Sequence, residues 1–155
     1  MKTIVPKLLA EALAMQFLQP KYYNLPEGVR VAPDDKTAVD VTIFLYQFAS
    51  VSLALAREAE TRPEFSSVLG HFEQILFLNE KFPVEISQNV PIIRDDLLKL
   101  FDLRNAGDAM FWARNWLEGL GIVENNPITL QEIATKWIGY YTAARQAIGD
   151  FDLRT

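Results

Sequence analysis

The sequence contains no cysteine and only one histidine among its 155 residues. The absence of cysteine excludes disulfide bonds, thiolate zinc sites, cysteine nucleophiles and cysteine-ligated iron–sulfur clusters. One histidine cannot build a multi-histidine metal site, and the paired Glu-x-x-His motifs of di-iron bundles are missing. We interpret His71 as a residue at the edge of an apolar helix face rather than as a catalytic base.

Motifs that carry well-known reaction chemistry are missing as well. The sequence has no Gly-x-x-x-x-Gly-Lys-Ser/Thr phosphate loop, no Gly-x-Ser-x-Gly nucleophile turn and no calcium-loop pattern. We therefore predict no catalytic residue, no metal ligand and no cofactor. This favours a protein that is not an enzyme.

Positive charge is scarce relative to negative charge. Fifteen basic and twenty acidic residues give a formal net charge of −5 and a pI near 4.9. Phosphate backbones and anionic lipids attract cationic surfaces, so this balance argues against nucleic-acid and membrane partners. Glu11 and Gln16 interrupt the first apolar run, which favours an amphipathic helix over a signal sequence. Together with the lack of cysteine, these features predict a cytoplasmic protein.

What the sequence does contain is one long apolar stretch, residues 37–60, around which we expect the chain to fold. On a helix its polar residues form a narrow stripe, and the remaining surface is almost wholly apolar. The run approaches the roughly 20 residues that a membrane span requires. Asp40 and Gln47 would be costly in lipid, so we predict the central helix of a soluble protein.

Apolar residues recur with helical spacing along most of the chain, and prolines and glycines divide this pattern into segments. We predict an all-α fold, a single domain over residues 1–155, with helices at residues 6–19, 35–60, 63–82, 91–104, 108–120 and 129–148. The last helix carries a capping box starting at Thr129, with Ile128 and Ile133 as its hydrophobic staple. The tetrapeptide Phe-Asp-Leu-Arg occurs at 101–104 and 151–154; we interpret it as a chance match whose second copy is a candidate docking tail.

Small side chains form a second pattern within residues 37–60. They recur at alternating steps of four and three, which lets another backbone approach closely. The seam consists of Ala38, Thr42, Leu45, Ala49, Ser52 and Ala56. Its partner is either another helix of the chain or a second copy. Our leading hypothesis is therefore a non-enzymatic interaction or assembly protein that associates with itself or with another protein.

Aromatic residues concentrate in the last two predicted helices. The candidate ligand-binding or partner-binding residues are Phe111, Trp112, Trp116, Trp137 and Tyr141. In one interpretation they line an apolar pocket for a small ligand or anchor a partner protein. In the other they form a bulky core between two packed helices. A helical protein that binds a small apolar molecule is the second hypothesis.

A third hypothesis is a degenerate helix-turn-helix regulator within residues 91–125. This segment combines a helix, a short Gly-containing turn and a second helix, a spacing similar to that of winged-helix regulators. The segment is slightly acidic, and Met110 and Phe111 occupy positions where polar base-reading side chains belong. In the first helix, Asp95 and Asp96 followed by Lys99 predict a solvated, ion-paired face rather than acid–base catalysts.

Overall fold

The computed structural model describes residues 2–18, 25–26, 29–77, 88–102 and 106–154, and these residues are helical apart from their loops and one pair of short strands. The helices are α1 (Pro6–Phe17), α2 (Lys36–Thr61), α3 (Phe65–Phe77), α4 (Val90–Phe101), α5 (Ala106–Gly119) and α6 (Pro127–Gly149). The predicted all-α fold around a central apolar helix is confirmed. The helix ends predicted at residues 19, 82 and 104 lie outside the described residues.

The central position of α2 follows from its composition, because a helix that is apolar on nearly all sides must be covered on nearly all sides. It packs against α3, α4 and α6, whereas α1 packs on α3 and α5 packs on α6. Every residue from Leu45 to Leu55 is buried. Burying one leucine or phenylalanine side chain contributes about 1.5–3 kcal/mol, so this helix dominates the core.

Helix α2 also belongs to the one segment, among the described residues, that is long and apolar enough to cross a membrane. The segment Pro33–Thr61 contains an 18-residue window with a mean hydropathy of 1.6, and 72% of that window is buried inside the molecule. The core helix of a soluble protein passes the same test. Since neighbouring helices cover the apolar faces of α2, the finding is consistent with a soluble fold.

A glycine in the left-handed conformation ends α5. Gly121 has φ of 78°, which glycine adopts without a Cβ clash. The Gly121 N–H donates to the Glu118 carbonyl at 2.9 Å, and the Ile122 N–H donates to the Leu117 carbonyl at 2.9 Å. These two bonds form a Schellman motif. At its other end α5 begins at Ala106, earlier than the predicted residue 108.

Helix α6 begins before its predicted capping box. The Asn126 side chain accepts a hydrogen bond from the Ile128 N–H at 2.9 Å, and Pro127 occupies the first helical position. The predicted cap at Thr129 is therefore wrong. The predicted staple is wrong as well, because Ile128 is 79% exposed. Asn-Pro supplies the start because the amide caps an N–H and proline has no helical N–H to lose.

Two short strands, which sequence analysis did not predict, pair the first and last described segments. Strand β1 (Lys2–Ile4) is parallel to strand β2 (Phe151–Leu153). Beyond the ladder, the Arg154 N–H donates to the Ile4 carbonyl at 2.8 Å. The second Phe-Asp-Leu-Arg copy is thus folded against the beginning of the chain.

Arg62 connects this small sheet to the helices. Its guanidinium donates to the Phe151 carbonyl at 2.8 Å, to Asp152 Oδ1 at 3.3 Å and to the Ile148 carbonyl at 3.4 Å. Its Nε donates to Glu58 Oε1 at 2.7 Å. Charge-assisted bonds of this kind are stronger than neutral ones, so one side chain fastens α2, α6 and β2 together. We call Glu58, Arg62, Ile148, Phe151 and Asp152 the terminal clamp.

Candidate functional site

A cavity of about 650 Å³ lies between α2, α4 and α5. Small-molecule sites have volumes of roughly 300–1,000 Å³. Helix α4 packs on α2 and α5 packs on α6, and residues of α2, α4 and α5 line the cavity. We call it the aromatic pocket; its principal lining residues are Tyr46, Asp96, Lys99, Phe111, Trp112 and Trp116.

Asp96 is fixed in the wall of the aromatic pocket. The Tyr46 hydroxyl donates to Asp96 Oδ2 at 2.7 Å, and Trp112 Nε1 donates to Asp96 Oδ1 at 3.1 Å. Both donors are neutral and come from different helices, so they orient the half-buried carboxylate from two sides. Each carboxylate oxygen retains capacity to accept a further hydrogen bond. Within the described residues Asp96 forms no ion pair, although Lys99 lines the same pocket.

The protonation state of Tyr46 is fixed by its surroundings. Burial, followed by the hydrogen bond to Asp96 and the negative charge of that carboxylate, raises the pKa of Tyr46 far above its usual value. The phenol therefore stays protonated in alkaline solution as well as at neutral pH. It acts as a permanent hydrogen-bond donor to Asp96.

Packed rings support the pocket from below. The Trp112 and Trp116 rings are stacked with an interplanar angle of 7° and a centroid distance of 6.2 Å. The Tyr46 ring lies 5.7 Å from Trp116 and 5.5 Å from Trp137. Trp137 is completely buried. Close-packed aromatic residues leave few alternative rotamers, so the wall of the pocket is formed before any ligand arrives.

The structure brings three of the five predicted site residues to the pocket. Phe111 is 61% exposed in the lining, whereas Trp112 and Trp116 are nearly buried in the wall. Trp137 lies beneath the lining, in contact with Trp116 at a centroid distance of 5.7 Å. Tyr141 lies apart from the pocket and stacks on a phenylalanine of α4 at 4.3 Å. The aromatic cluster therefore serves both purposes: Phe111, Trp112 and Trp116 line the cavity, and Trp137 belongs to the core behind them.

Tyr46 is not among the residues predicted to form a site, and the prediction made for Asp96 is wrong. The predicted ion-paired, solvated face of α4 is wrong for Asp96, which is half-buried and hydrogen-bonded to Tyr46 and Trp112. One signal was present: a tyrosine inside an almost wholly apolar helix needs a partner for its hydroxyl. A second signal was the position of Asp96 beside Leu97, which is completely buried.

The small-residue seam of α2 is largely occupied within the chain. Ala49 and Ser52 are completely buried, so neither is accessible to a second copy in this fold. Thr42 lines the aromatic pocket, and its hydroxyl donates to the Ala38 carbonyl at 3.0 Å. Ala38 is exposed and Ala56 is half-buried.

Other chemistries suggested by the sequence find little support in the site. The proposed helix-turn-helix segment corresponds to helices α4 and α5. In α5, however, Trp112 and Trp116 are buried and Asp108 lines the aromatic pocket. A recognition helix presents polar and basic side chains instead. Among the residues that the structure describes, no group of three or more His, Asp or Glu side chains could hold a metal ion.

Comparisons with known proteins provide no assignment. No family model, no curated protein and no solved structure matches the chain. Since function resides in sites rather than in folds, a functional conclusion rests on the geometry and chemistry of the aromatic pocket.

Proposed function

We propose that this protein binds a small molecule in the aromatic pocket and performs no reaction on it. The main support is Asp96, a half-buried carboxylate fixed by Tyr46 and Trp112 at the wall of a cavity of about 650 Å³. Ligand pockets typically combine apolar walls with a few placed polar groups. Groups that are already oriented lose less entropy when the ligand binds.

The same contacts favour binding over catalysis. A general acid or base works best when its pKa lies near the operating pH. The pKa of Tyr46 is raised far from neutrality by burial and by Asp96. Trp112 offers only an indole N–H donor, which does not ionise at neutral pH and has no lone pair to accept a proton. The described polar groups of the wall are therefore suited to orient a ligand.

Intrinsic tryptophan emission tests this proposal directly. The chain has three tryptophans, and all lie in the wall of the pocket or beneath it. We expect at least one class in a fragment library of cationic, anionic and neutral compounds to change the emission saturably and to raise the melting temperature. Phe111→Ala should weaken that binding, because it removes an exposed part of the lining.

Ile128→Ala is the matched control for Phe111→Ala. Ile128 is also an exposed large apolar residue, but it lies outside the aromatic pocket. Its truncation should leave the binding curve unchanged. A flat emission and melting response across the whole library would overturn the proposed function.

Association with a second copy of the chain is the other candidate function, although the buried seam does not support it. Its support is exposed apolar surface: Ile128, together with Met110 and Pro127, lines a shallow groove of about 560 Å³. Ile128→Glu should then lower the solution mass measured by light scattering. A monomer mass for both proteins would remove this candidate.

We also propose that the protein is located in the cytoplasm. The absence of cysteine suits a reducing compartment but does not require one, and neighbouring helices cover the apolar faces of α2. Fractionation of the native host, followed with an antibody against the chain, should place it with soluble cytoplasmic proteins. Recovery in the membrane or secreted fraction would contradict this location.

A further inference from the structure

Asp96 differs from two other half-buried carboxylates in the way its charge is balanced. Glu58 lies 2.7 Å from Arg62 and 3.7 Å from Arg145, and Glu73 lies 2.5 Å from Arg94. Asp96 receives hydrogen bonds from two neutral groups and, within the described residues, forms no ion pair. Neutral donors orient a carboxylate but leave its net charge in place. That charge lies at the wall of a cavity.

The remainder of the pocket reinforces this negative potential. Asp108 also lines the cavity, and four aromatic side chains contribute to its walls. Aromatic rings attract cations to their faces, with a gain of about 0.5–2 kcal/mol that increases as water is excluded. The chain carries a formal net charge of −5, which draws small cations toward its surface.

We propose, building on the small-molecule binding proposed above, that the ligand of the aromatic pocket is an organic cation: an ammonium group carried on an apolar or aromatic body. The ammonium donates to the remaining acceptor positions of Asp96, and the body packs against Phe111, Trp112 and Trp116. This arrangement supplies the cationic partner that Arg62 and Arg145 supply to Glu58.

Lys99 restricts the charge of that ligand. Its side chain lines the same cavity, so its ammonium repels a ligand that carries several positive charges. The fixed charge of Asp96 at the wall favours one positive charge on the ligand and disfavours an anion. A monoamine with an aromatic ring satisfies these conditions.

Three probes of similar size and different charge test the inference. At pH 7 and low salt we would titrate phenethylammonium, 2-phenylethanol and 3-phenylpropionate into the protein, following tryptophan emission and calorimetric heat. We expect the cation to bind about tenfold more tightly than the alcohol, as a partly desolvated cation–π contact with a carboxylate predicts. The affinity of the cation should fall as salt is added.

Single substitutions identify the group that recognises the charge. Asp96→Asn should reduce the affinity for the cation to that for the alcohol, whereas Asp95→Asn makes the same charge change on an exposed neighbour outside the lining and should have little effect. Lys99→Gln, on an exposed side chain whose replacement should not affect folding, should tighten cation binding several-fold. Circular dichroism and melting confirm that each variant is folded.

The outcomes separate this inference from the function on which it rests. Binding of the alcohol or the propionate as tightly as the cation, with an emission change that Phe111→Ala weakens, would overturn the cationic ligand and leave small-molecule binding intact. Equal cation affinity in the Asp96→Asn and Asp95→Asn variants would also overturn it. If none of the three probes binds at millimolar concentrations, the inference fails, and the broad fragment library alone decides the proposed function.

Discussion

The terminal clamp and the aromatic pocket each hold a half-buried carboxylate where several elements meet, but they balance its charge differently. In the clamp, Glu58 is only 13% exposed and has two arginines within 4 Å, Arg62 and Arg145. In the pocket, Asp96 has two neutral donors, Tyr46 and Trp112. Both carboxylates are fixed in position, yet among the described residues only Glu58 has cationic partners that neutralise its charge.

This difference distinguishes a structural ion pair from a site that can bind a charged ligand. A half-buried carboxylate that pairs with a guanidinium of the same chain stabilises one arrangement of helices. Its charge is then balanced and is not available to bind a ligand. A fixed charge beside a cavity instead gives the protein something to recognise. Perturbed or unbalanced polar groups in a cleft are therefore candidates for function, whereas balanced ones are candidates for structure.

The largest loss of stability is expected from a substitution in the terminal clamp. Arg62→Met should lower the free energy of unfolding by about 2–3 kcal/mol, because Glu58 loses its closest cation and the carbonyls of Ile148 and Phe151 lose their donor. Urea unfolding followed by circular dichroism measures this. Lys136→Met is the control: its ion pair with Glu132, at 3.5 Å, is exposed, so its loss should cost about 0–1 kcal/mol. Equal losses in both variants would contradict a structural role for the clamp.

Neutralising the two carboxylates should give unequal results. Glu58→Gln removes the anion that Arg145 contacts and leaves Arg62 paired only with the exposed Asp152, so it should destabilise the protein by about 1–2 kcal/mol. Asp96→Asn retains one acceptor and removes an unbalanced charge, so we expect a change within about 0.5 kcal/mol. Parallel urea titrations at pH 7 measure both. If Asp96→Asn costs as much as Glu58→Gln, Asp96 is a structural group and the contrast between the two regions fails.

Tyr46→Phe tests the donor that holds Asp96. The loss of one hydrogen bond to a charged group should cost about 1 kcal/mol at pH 7, measured by urea unfolding. Burial also raises the pKa of Tyr46 and of Tyr140, whose hydroxyl donates to the Phe17 carbonyl. The folded protein therefore retains two phenolic protons that the unfolded chain releases above pH of about 10.

The difference in bound protons between the folded and unfolded states determines how the stability changes at alkaline pH. Above pH of about 10 the unfolded chain binds fewer protons than the folded protein, so the free energy of unfolding falls by up to about 1.4 kcal/mol per pH unit for each such tyrosine. Tyr46→Phe should remove about half of this decrease. Urea titrations from pH 9 to 11 measure the slope, and an unchanged slope in the variant would show that Tyr46 does not contribute.

The smallest change in stability is expected from a substitution in the small-residue seam of α2, at a position between Tyr46 and Glu58. Among the described residues no hydrogen-bond partner is found for the buried hydroxyl of Ser52. Ser52→Ala should therefore be neutral or stabilising by up to about 0.5 kcal/mol. Ser50→Ala, in the same helix, loses a bond of 2.7 Å to the Tyr46 carbonyl and should cost about 0.5–1 kcal/mol. The reverse order in a urea titration would contradict this assignment.

Helix α2 was predictable because its cause is local. A nearly continuous apolar pattern requires burial wherever the segment lies in the fold, so the apolar residues of 45–55 are buried as the pattern indicates, and Gln47 and Ser50 of the polar stripe are buried with them. Helix starts are less certain, because Asn126 and Thr129 are both good caps by composition. Local propensity does not decide between two adequate signals, and here Pro127 favours the earlier one.

The pocket was only partly predictable because its chemistry joins distant positions. The bond between Tyr46 and Asp96 spans 50 positions of the chain, whereas the predicted ion pair of Asp95 with Lys99 spans a single helical turn. A reading of short spacings therefore favours the ion pair that does not form. The concentration of aromatic residues was visible, but the cavity depends on how α4 and α5 pack against α2 and α6, which no short pattern encodes.

The parallel pairing of β1 and β2 has a mechanical consequence. When a force draws Lys2 and Leu153 apart along the strand direction, it slides the two strands past each other and loads their hydrogen bonds simultaneously rather than one after another. The guanidinium of Arg62 grips β2 at Phe151 and Asp152, so the same load is passed to the end of α2. When the molecule is stretched between these two points in an optical trap, the paired strands should resist the force in shear. Arg62→Met should lower the force at which they separate.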